Sequence, residues 1–442
     1  MALSGLDIYK LLPKTNCKEC GFATCLAFAM QLAKKSASLD KCPYLSAESK
    51  KALEASALPP IKLITIGSGD NKLETGNETV MFRHEEKFRN PAGIGFLMED
   101  SLSDGAIKSK LEQINKLKFE RVGQELNVNL IALRQNSDKA RFASAVKTVS
   151  GNTHLGLVLM SADKDALREA LKICAQDKPL IYGADKDNVR ELGKLALEFS
   201  VPIAALANSL DGLSFLTQEL NKLGVKDIVL DTGAKPLSKK IEDLTFIRRL
   251  ALKKQERSLG YPSIVVVEND DPYEEAQEAA TYIARYAGIV IIKDPAPHLV
   301  LSLLTLRQNI YTDPQKPLQI EPKLYSVGQA GKDSPLMVTT NFSLTYFTVL
   351  GEVEASKVPS YILSVDTEGM SVLTAWAAEK FTPDKISESL GKFGVREAVG
   401  HNRLIIPGYV AMMSADLEEK CGFQVIVGPK EASGLPSFLK NL

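Results

Sequence analysis

The sequence predicts an α/β chain in three parts: a small N-terminal helical module, a central TIM (β/α)8 barrel and a C-terminal doubly wound, Rossmann-like domain. Three observations predict it. Four of the six cysteines crowd between residues 17 and 42. From residue 61 to about 310, short runs of Val, Ile and Leu alternate with charged stretches of helical period. After residue 324, apolar strand, small-residue turn and helix recur as a unit.

Length and composition agree with three parts. At about 150 residues per domain, 442 residues make about three units. Apolar residues are 45% of the chain and charged ones 24%, enough to bury real cores. The 54 Lys and Arg balance 54 Asp and Glu, which argues against nucleic acid or an anionic membrane as main partner. No apolar stretch approaches the ~18 residues that span a bilayer. The start MALSGLDIYK lacks a basic segment followed by an apolar one, so a cytoplasmic protein is expected.

The cysteine module comes first. Its spacing is Cys17-x2-Cys20-x4-Cys25-x16-Cys42. A disulfide framework suits small secreted chains, so metal binding is the better reading here. A tight turn through Lys18 and Glu19 aims two thiolates at one centre, and Gly21 after it can take a positive φ beside a bulky inorganic core. The segment GFATCLAFAMQLAKK carries Phe22, Leu26, Ala29, Met30 and Ala33 at helical spacing. Cys25 then falls in a helix's first turn, where the N-terminus stabilises a thiolate. Pro43 follows Cys42, as proline follows the last ligand of bacterial ferredoxin motifs. Zinc modules usually pair two CxxC knuckles; one pair plus two single cysteines favours an iron–sulfur cluster, with zinc as the competing assignment. A short helix over 46–58 and the break Pro59-Pro60 end the module at residue 58.

The barrel is expected over 61–312. Its strand candidates are IKLITIG (61–67), ETVMFRHE (78–85), 127–134, 153–161, 178–184, 201–207, 227–233, 263–269 and 288–294, the second being either a stave or an entry hairpin. Continuous apolar strands mark a parallel sheet covered by helices. About eight such units suggest a barrel, with an open sheet as the alternative. The strand ends carry Arg83-His84-Glu85, Asp185, Asn208, Asp231, Glu268 to Asp271 and Asp294. Capping of the following helices explains most of them more simply than a ligand site.

A proline-rich linker, 313–323, precedes the last domain, 324–442. If its four strands are parallel, their turns share one carboxyl edge, where such sheets bind ligands. Those turns are 339–341, 366–371, 407–408 and 428–434. They offer small residues, hydroxyls and free amides, but no cationic clamp and no GxGxxG. That suits a large, weakly charged ligand better than a dinucleotide, while plain ligand-free turns remain the other reading. Trp376 and Cys421 read as core residues.

The 2-4-16 cysteine spacing in NCKECGFATCLAF, with TTNFSLTYF and SVDTEGMSVLTAW in the last domain, resembles the large-subunit family of the corrinoid iron–sulfur proteins, across the whole chain. The resemblance implies a methyl carrier of anaerobic acetyl-CoA synthesis. A cobalamin-type corrinoid would take methyl from methyltetrahydrofolate through a methyltransferase and pass it to acetyl-CoA synthase/CO dehydrogenase. A 4Fe-4S cluster would reduce Co(II) to Co(I), and a small barrel subunit would complete a heterodimer. It implies cluster ligands at Cys17, Cys20, Cys25 and Cys42. Corrinoid contacts are placed, from strand-end position, at Thr340, Thr345, Tyr346, Gly369, Met370, Ser371, Val372, Leu373, Thr374, Ala432, Ser433 and Gly434. No residue is given a catalytic role. Corrinoid domains often supply a histidine from a DxHxxG motif, and none of the four histidines here sits in one. Cobalt without a histidine lower ligand is therefore expected, which eases reduction to Co(I). An iron–sulfur flavoprotein for electron transfer and a zinc scaffold are the alternative functions.

Overall fold

Runs of β-branched residues and leucine become the staves of a barrel. In the computed structural model, residues 1–4, 34–36, 47–48, 51–52, 54–58 and 70–71 are not described, and all others are. The expected helix over 46–58 falls mostly outside the described residues.

Strands β1 (Ile64–Ile66) and β2 (Leu73–Thr75) form an antiparallel pair. The first stave is β3 (Gly93–Glu99). A hairpin of β4 (Lys118–Arg121) and β5 (Gln124–Asn127) follows. Then come β6 (Leu130–Arg134), β7 (Gly156–Met160), β8 (Leu180–Ala184), β9 (Ile203–Leu206), β10 (Ile228–Asp231), β11 (Ile264–Val266) and β12 (Ile289–Ile292). Eight parallel strands run in the order β10-β9-β8-β7-β6-β3-β12-β11. A parallel bridge from Leu230 to Ser263 closes β10 onto β11.

Two sequence expectations need correction here. Residues 61–67 do not form a stave: Ile64, Ile66 and Leu73 pack inside the barrel with Leu130, Val158, Leu180 and Ile289. Leu73 meets Gly93, Ile66 meets Gly156, and Thr75 bonds the Gly288 carbonyl, so the β1–β2 pair plugs the end where the staves begin. Residues 78–85 are turns rather than strand or hairpin. The stave that these segments displaced is 93–99. Helices cover the outside, and Ser103, Asp138, Asp163, Ser209 and Asp271 each accept a backbone N–H at a helix start. Such caps stabilise by about 1 kcal/mol each.

The second sheet holds β13 (Leu324–Val327), β14 (Leu336–Thr340), β15 (Ser360–Val365), β16 (Arg403–Ile406) and β17 (Gln424–Val427). Its order is β13-β15-β14-β16-β17. The last four strands are parallel, and β13 is an antiparallel edge. One face is lined by Leu336, Val338, Leu363, Phe381 and Leu404, the other by Met337, Tyr346, Ile362 and Ile405. The chain divides into two compact units: Met1–Phe119 with Leu126–Tyr311, and Glu120–Glu125 with Thr312–Leu442.

The proline-rich segment is not free along its whole length. Ile320 donates its N–H to the Asn341 carbonyl (3.0 Å) and Ser343 donates to the Leu318 carbonyl (2.9 Å). Gln319 bridges Phe342 in antiparallel fashion. From about residue 317 onward the segment is woven into the second unit.

Candidate cofactor sites

In the second sheet, β14 connects to β15 on one side, and the chain later returns to place β16 on the other. The carboxyl ends of β14 and β16 therefore flank a topological switch point, where open α/β sheets bind ligands. A cavity of about 420 Å³ opens there, with mainly apolar walls. Thr339, Phe342 and Thr345 come from β14 and the helix Ser343–Ser356; Ser371, Val372 and Leu373 from the turn after β15; Pro407 and Tyr409 from the turn after β16; Gly428 to Ala432 from the turn after β17.

Of the residues placed here from sequence, Thr345, Ser371, Val372, Leu373 and Ala432 line the cavity. Thr340 lies fully buried at the end of β14, and Gly369 and Met370 stand in the turn leading to the wall. Thr374 is exposed and shares a 3.0 Å hydroxyl contact with Ser371. Ser433 is exposed beside half-buried Gly434. Tyr346 packs on Tyr325 beneath, ring centroids 4.7 Å apart. Sequence reasoning missed Phe342, Leu344 and Tyr409. Nothing separates an apolar residue in a helix's first turn from a core one until the strands are placed. Leu344, Leu373 and Tyr409 are 50%, 46% and 42% exposed, so the cavity is rimmed by uncovered apolar side chains. Trp376, expected in the core, is 40% exposed. The short helix Val372–Ala377 buries only Ala375 and turns the indole outward.

Three hydroxyls near this edge have no partner: Thr339 and Thr340 on β14, and Ser364 on β15, the register partner of Thr339. A buried hydroxyl without a partner costs about 1–3 kcal/mol. Thr339 is on the cavity wall, where a ligand rich in amide groups would satisfy it. The helix Ser343–Ser356 likewise begins at the cavity; the Leu318 carbonyl takes its first N–H, and no side chain caps those of Leu344 and Thr345. An apolar wall, orphaned hydroxyls and uncapped amides fit a corrinoid, whose flat ring carries amide arms.

His401 is the only histidine of residues 312–442. Its Nδ1 accepts from the Arg403 N–H (3.1 Å), so Nε2 carries the proton and donates to the Ser334 carbonyl (2.9 Å). Both partners precede or begin strands, so His401 stands at the opposite edge of the sheet from the cavity.

In the N-terminal module, the helix Cys25–Ala33 begins at Cys25, whose N–H donates to Asn16 Oδ1 (2.8 Å) while the Asn16 N–H points at Cys25 Sγ (3.4 Å). Cys25, Phe28 and Ala29 are buried and Phe22 and Ala33 pack against them, as the apolar spacing suggested, whereas Leu26 and Met30 are 37% and 46% exposed. All four cysteines are free: Cys17 exposed, Cys20 and Cys42 half-buried, Cys25 buried. Burial pushes the Cys42 thiol up, and Cys20, Cys17 and Cys25 add to the shift, so the four share one electrostatic neighbourhood. Among the described residues, no three acidic, cysteine or histidine side chains converge on a single-ion site. Lys14, Asn16 and Lys18 take left-handed φ of 59°, 50° and 66°. For lysine that costs about 1–2 kcal/mol each. A donor set of four thiols, one in the strained loop, one just after it, one at the helix start and one after the turn Leu39–Lys41, fits an anionic iron–sulfur core, which bonds each thiolate to its own iron.

The barrel mouth divides along chemical lines. Asp185 and Asp271 accept backbone N–H groups of the chain that follows them, as capping predicts. Asp231 does not. Tyr182 Oη donates to it at 2.6 Å, Lys240 Nζ at 2.7 Å and the Gly233 N–H at 2.9 Å. Burial raises the Tyr182 phenol well above its ordinary value, and Asp231 adds to the shift. Arg134 grips Glu268 with two bonds of 2.7 and 2.6 Å. His84 is exposed and stacks on Phe82.

Residues 63–439 match the family described as CO dehydrogenase/acetyl-CoA synthase delta subunit. The chain belongs to this family. Residues 12–44, ahead of that match, fit a second family described as a putative Fe-S cluster. This family member is similar to the corrinoid/iron-sulfur protein large subunit of Moorella thermoacetica, 47% identical over 441 residues that cover 100% of this chain and 99% of the relative. It is also similar to the acetyl-CoA decarbonylase/synthase complex subunit gamma of Methanothermobacter thermautotrophicus, 35% identical over 456 residues, with 100% and 99% covered. Among solved structures, dihydropteroate synthase from Thermus thermophilus aligns with 56% of this chain and 100% of its own, at 14% identity and a TM-score of 0.40. No helix among the described residues is long and apolar enough to cross a membrane.

Proposed function

We propose that this chain is the large subunit of a heterodimeric corrinoid iron–sulfur protein and serves as a methyl carrier in cytoplasmic acetyl-CoA synthesis. The support that carries the proposal is the 47% identity over the full length of a relative of that name. A corrinoid held at the switch-point cavity would supply the cobalt chemistry for carrying a methyl group from methyltetrahydrofolate, through a methyltransferase, to acetyl-CoA synthase. Cys17, Cys20, Cys25 and Cys42 would hold the 4Fe-4S cluster, whose chemistry would be the one-electron reduction that reactivates the cobalt.

The chain's own residues bind and shield. Phe342, Leu344, Val372, Leu373 and Pro407 present apolar surface to the ring and exclude water from one side. Thr339 and the uncapped amides of Leu344 and Thr345 offer hydrogen bonds to its amide arms. His401, engaged at the far edge, supplies no lower ligand. The three segments 1–58, 61–312 and 324–442 serve in turn as cluster module, barrel and corrinoid domain, the barrel offering a surface for the small subunit.

Anaerobic purification followed by metal analysis tests this. Roughly four iron and one cobalt per chain are expected, with an oxygen-sensitive red-brown colour. Released yellow flavin would turn the reading to an electron-transfer flavoprotein. Zinc without iron or cobalt would leave a structural scaffold.

A further inference from the structure

The turn after β15 supplies part of the cavity wall, and its shape depends on one buried side chain outside that wall. Asn341 follows β14 and is fully buried. Its Oδ1 accepts from the Thr367 N–H (2.9 Å), the Thr367 hydroxyl (3.1 Å) and the Gly369 N–H (3.0 Å). Its Nδ2 donates to Asp366 Oδ1 and to Gln319 Oε1, both at 3.2 Å. Its own N–H bonds the Val365 carbonyl (2.9 Å), and its carbonyl takes the Ile320 N–H (3.0 Å). Every polar group of this residue is used, and every partner lies in either the 365–369 turn or the 319–320 stretch.

The turn needs such a clamp. Glu368 and Gly369 take successive left-handed φ of 56° and 74°, which the chain does not keep unaided at a non-glycine residue. Just beyond them, Ser371, Val372 and Leu373 form the wall. Only a planar amide meets these partners: a carboxylate would lose both donors and face Asp366, and an alkyl side chain would lose every side-chain bond.

Gln319 brings in the proline-rich joint. A Cβ added to Gly369 would lie 2.6 Å from Gln319 Cγ and 3.1 Å from Pro317 Cβ, so the joint packs flat on the turn. Gln319 also bridges Phe342, itself a wall residue.

We propose that Asn341 is the positioning residue of the corrinoid-facing turn, and that Gln319 couples that turn to the proline-rich joint, so that a change in the joint alters the cobalt's surroundings. This rests on the placement of the corrinoid proposed above. A shift of the joint at Pro317 moves Gln319, which releases one of the two acceptors of the Asn341 amide and frees the turn to relax.

Full-length protein carrying its corrinoid decides the matter, through the Co(II) electron paramagnetic resonance spectrum, the rate of corrinoid loss and the thermal midpoint. Asn341→Ala is expected to shed corrinoid roughly tenfold faster or more, since three donors lose their acceptor at once. Gln319→Ala is expected to alter the spectrum and hasten loss by roughly threefold, with its midpoint near that of the wild type. Gln319→Glu keeps an acceptor for Asn341 Nδ2 and should restore the wild-type spectrum, a rescue that a merely structural role would not show. If Asn341→Ala fails to fold, the Gln319 pair still decides. A Gln319→Ala protein identical to wild type in spectrum and loss rate overturns the coupling. A folded Asn341→Ala protein that retains corrinoid normally overturns the positioning role. Wild-type protein isolated without cobalt would instead sink the functional proposal, and this one with it.

Discussion

Gly408→Ala tests where the ligand sits. Gly408 follows Pro407 at the end of β16 and faces the turn after β17, with its N–H donating to the Pro429 carbonyl (3.0 Å). A Cβ there would stand 2.6 Å from the Gly428 carbonyl oxygen and 2.8 Å from both the Lys430 nitrogen and the Pro429 carbonyl carbon. All three are backbone atoms, so no flexible side chain can yield and the two turns must part. Forcing a methyl group into such packing costs about 1–3 kcal/mol. At about 1.4 kcal/mol per factor of ten, strain expressed wholly at the cavity weakens corrinoid binding roughly 5- to 150-fold. The assay is anaerobic reconstitution with cobalamin, read as a dissociation constant by absorbance, beside a thermal melt. Gly351→Ala is the control: it lies exposed in the helix Ser343–Ser356 with nothing within 4 Å, and should stabilise by about 0.5–1 kcal/mol without affecting binding. If Gly408→Ala binds cobalamin like wild type while its melt falls, the ligand does not rest on these turns and the assignment of the wall is wrong.

Three further predictions concern the two cofactors and the boundary between the units. Cys20→Ser should abolish reductive reactivation yet leave methyl transfer from chemically prepared Co(I) intact; joint loss of both activities would contradict the division of labour. His401→Ala should leave the Co(II) resonance unchanged and free of nitrogen splitting, and the appearance of such splitting in the wild type alone would show that the imidazole reaches cobalt after all. A fragment 312–442 should be more stable than 324–442. The shorter piece loses the bonds of Ile320 to Asn341, Ser343 to Leu318, Ser364 to Lys323 and Asn341 to Gln319, each worth about 0.5–1.5 kcal/mol. Equal midpoints in a denaturant titration would refute the claim that the joint belongs to the second unit.

Much of the architecture is legible because burial on both faces leaves a mark on composition. Seven of the eight staves, from Leu130–Arg134 to Ile289–Ile292, read as unbroken apolar runs. The eighth, GIGFLME at 93–99, escapes because its two glycines resemble a turn; Gly95 is small because Leu130 and Ile291 crowd the space beside it. Ile64–Ile66 reads as a stave because it is locally a strand, and only the tertiary pairing with Leu73–Thr75 makes it a plug. Likewise β13, with Leu324 and Tyr325 only half-buried, lacks the pattern of its buried neighbours. At the cavity, the turns are legible from strand–turn–helix order, whereas Phe342, Leu344 and Tyr409 are not. Their role depends on which strands become neighbours. Asn341 reads as an ordinary turn residue until the partner turn and the joint are in place.

The proposed role, one cobalt presented to several partners, asks for a pocket that holds its shape, and the chain ahead of the pocket passes from exposed to buried contacts within a dozen residues. The helix Pro297–Tyr311 precedes the second unit, which takes up the chain again at Thr312, and packing on the 365–369 turn begins at Pro317. Residues 313–316 form a bend ahead of that packing. That stretch is folded on itself: Asp313 accepts the Gln315 N–H at its carboxylate (2.9 Å) and the Lys316 N–H at its carbonyl (3.3 Å). The bonds that open are two exposed turn contacts, while the bonds that hold Asn341 are buried. Loosening the bend at 313–316 therefore breaks only exposed contacts, whereas displacing the chain beyond Pro317 works directly against the 365–369 turn.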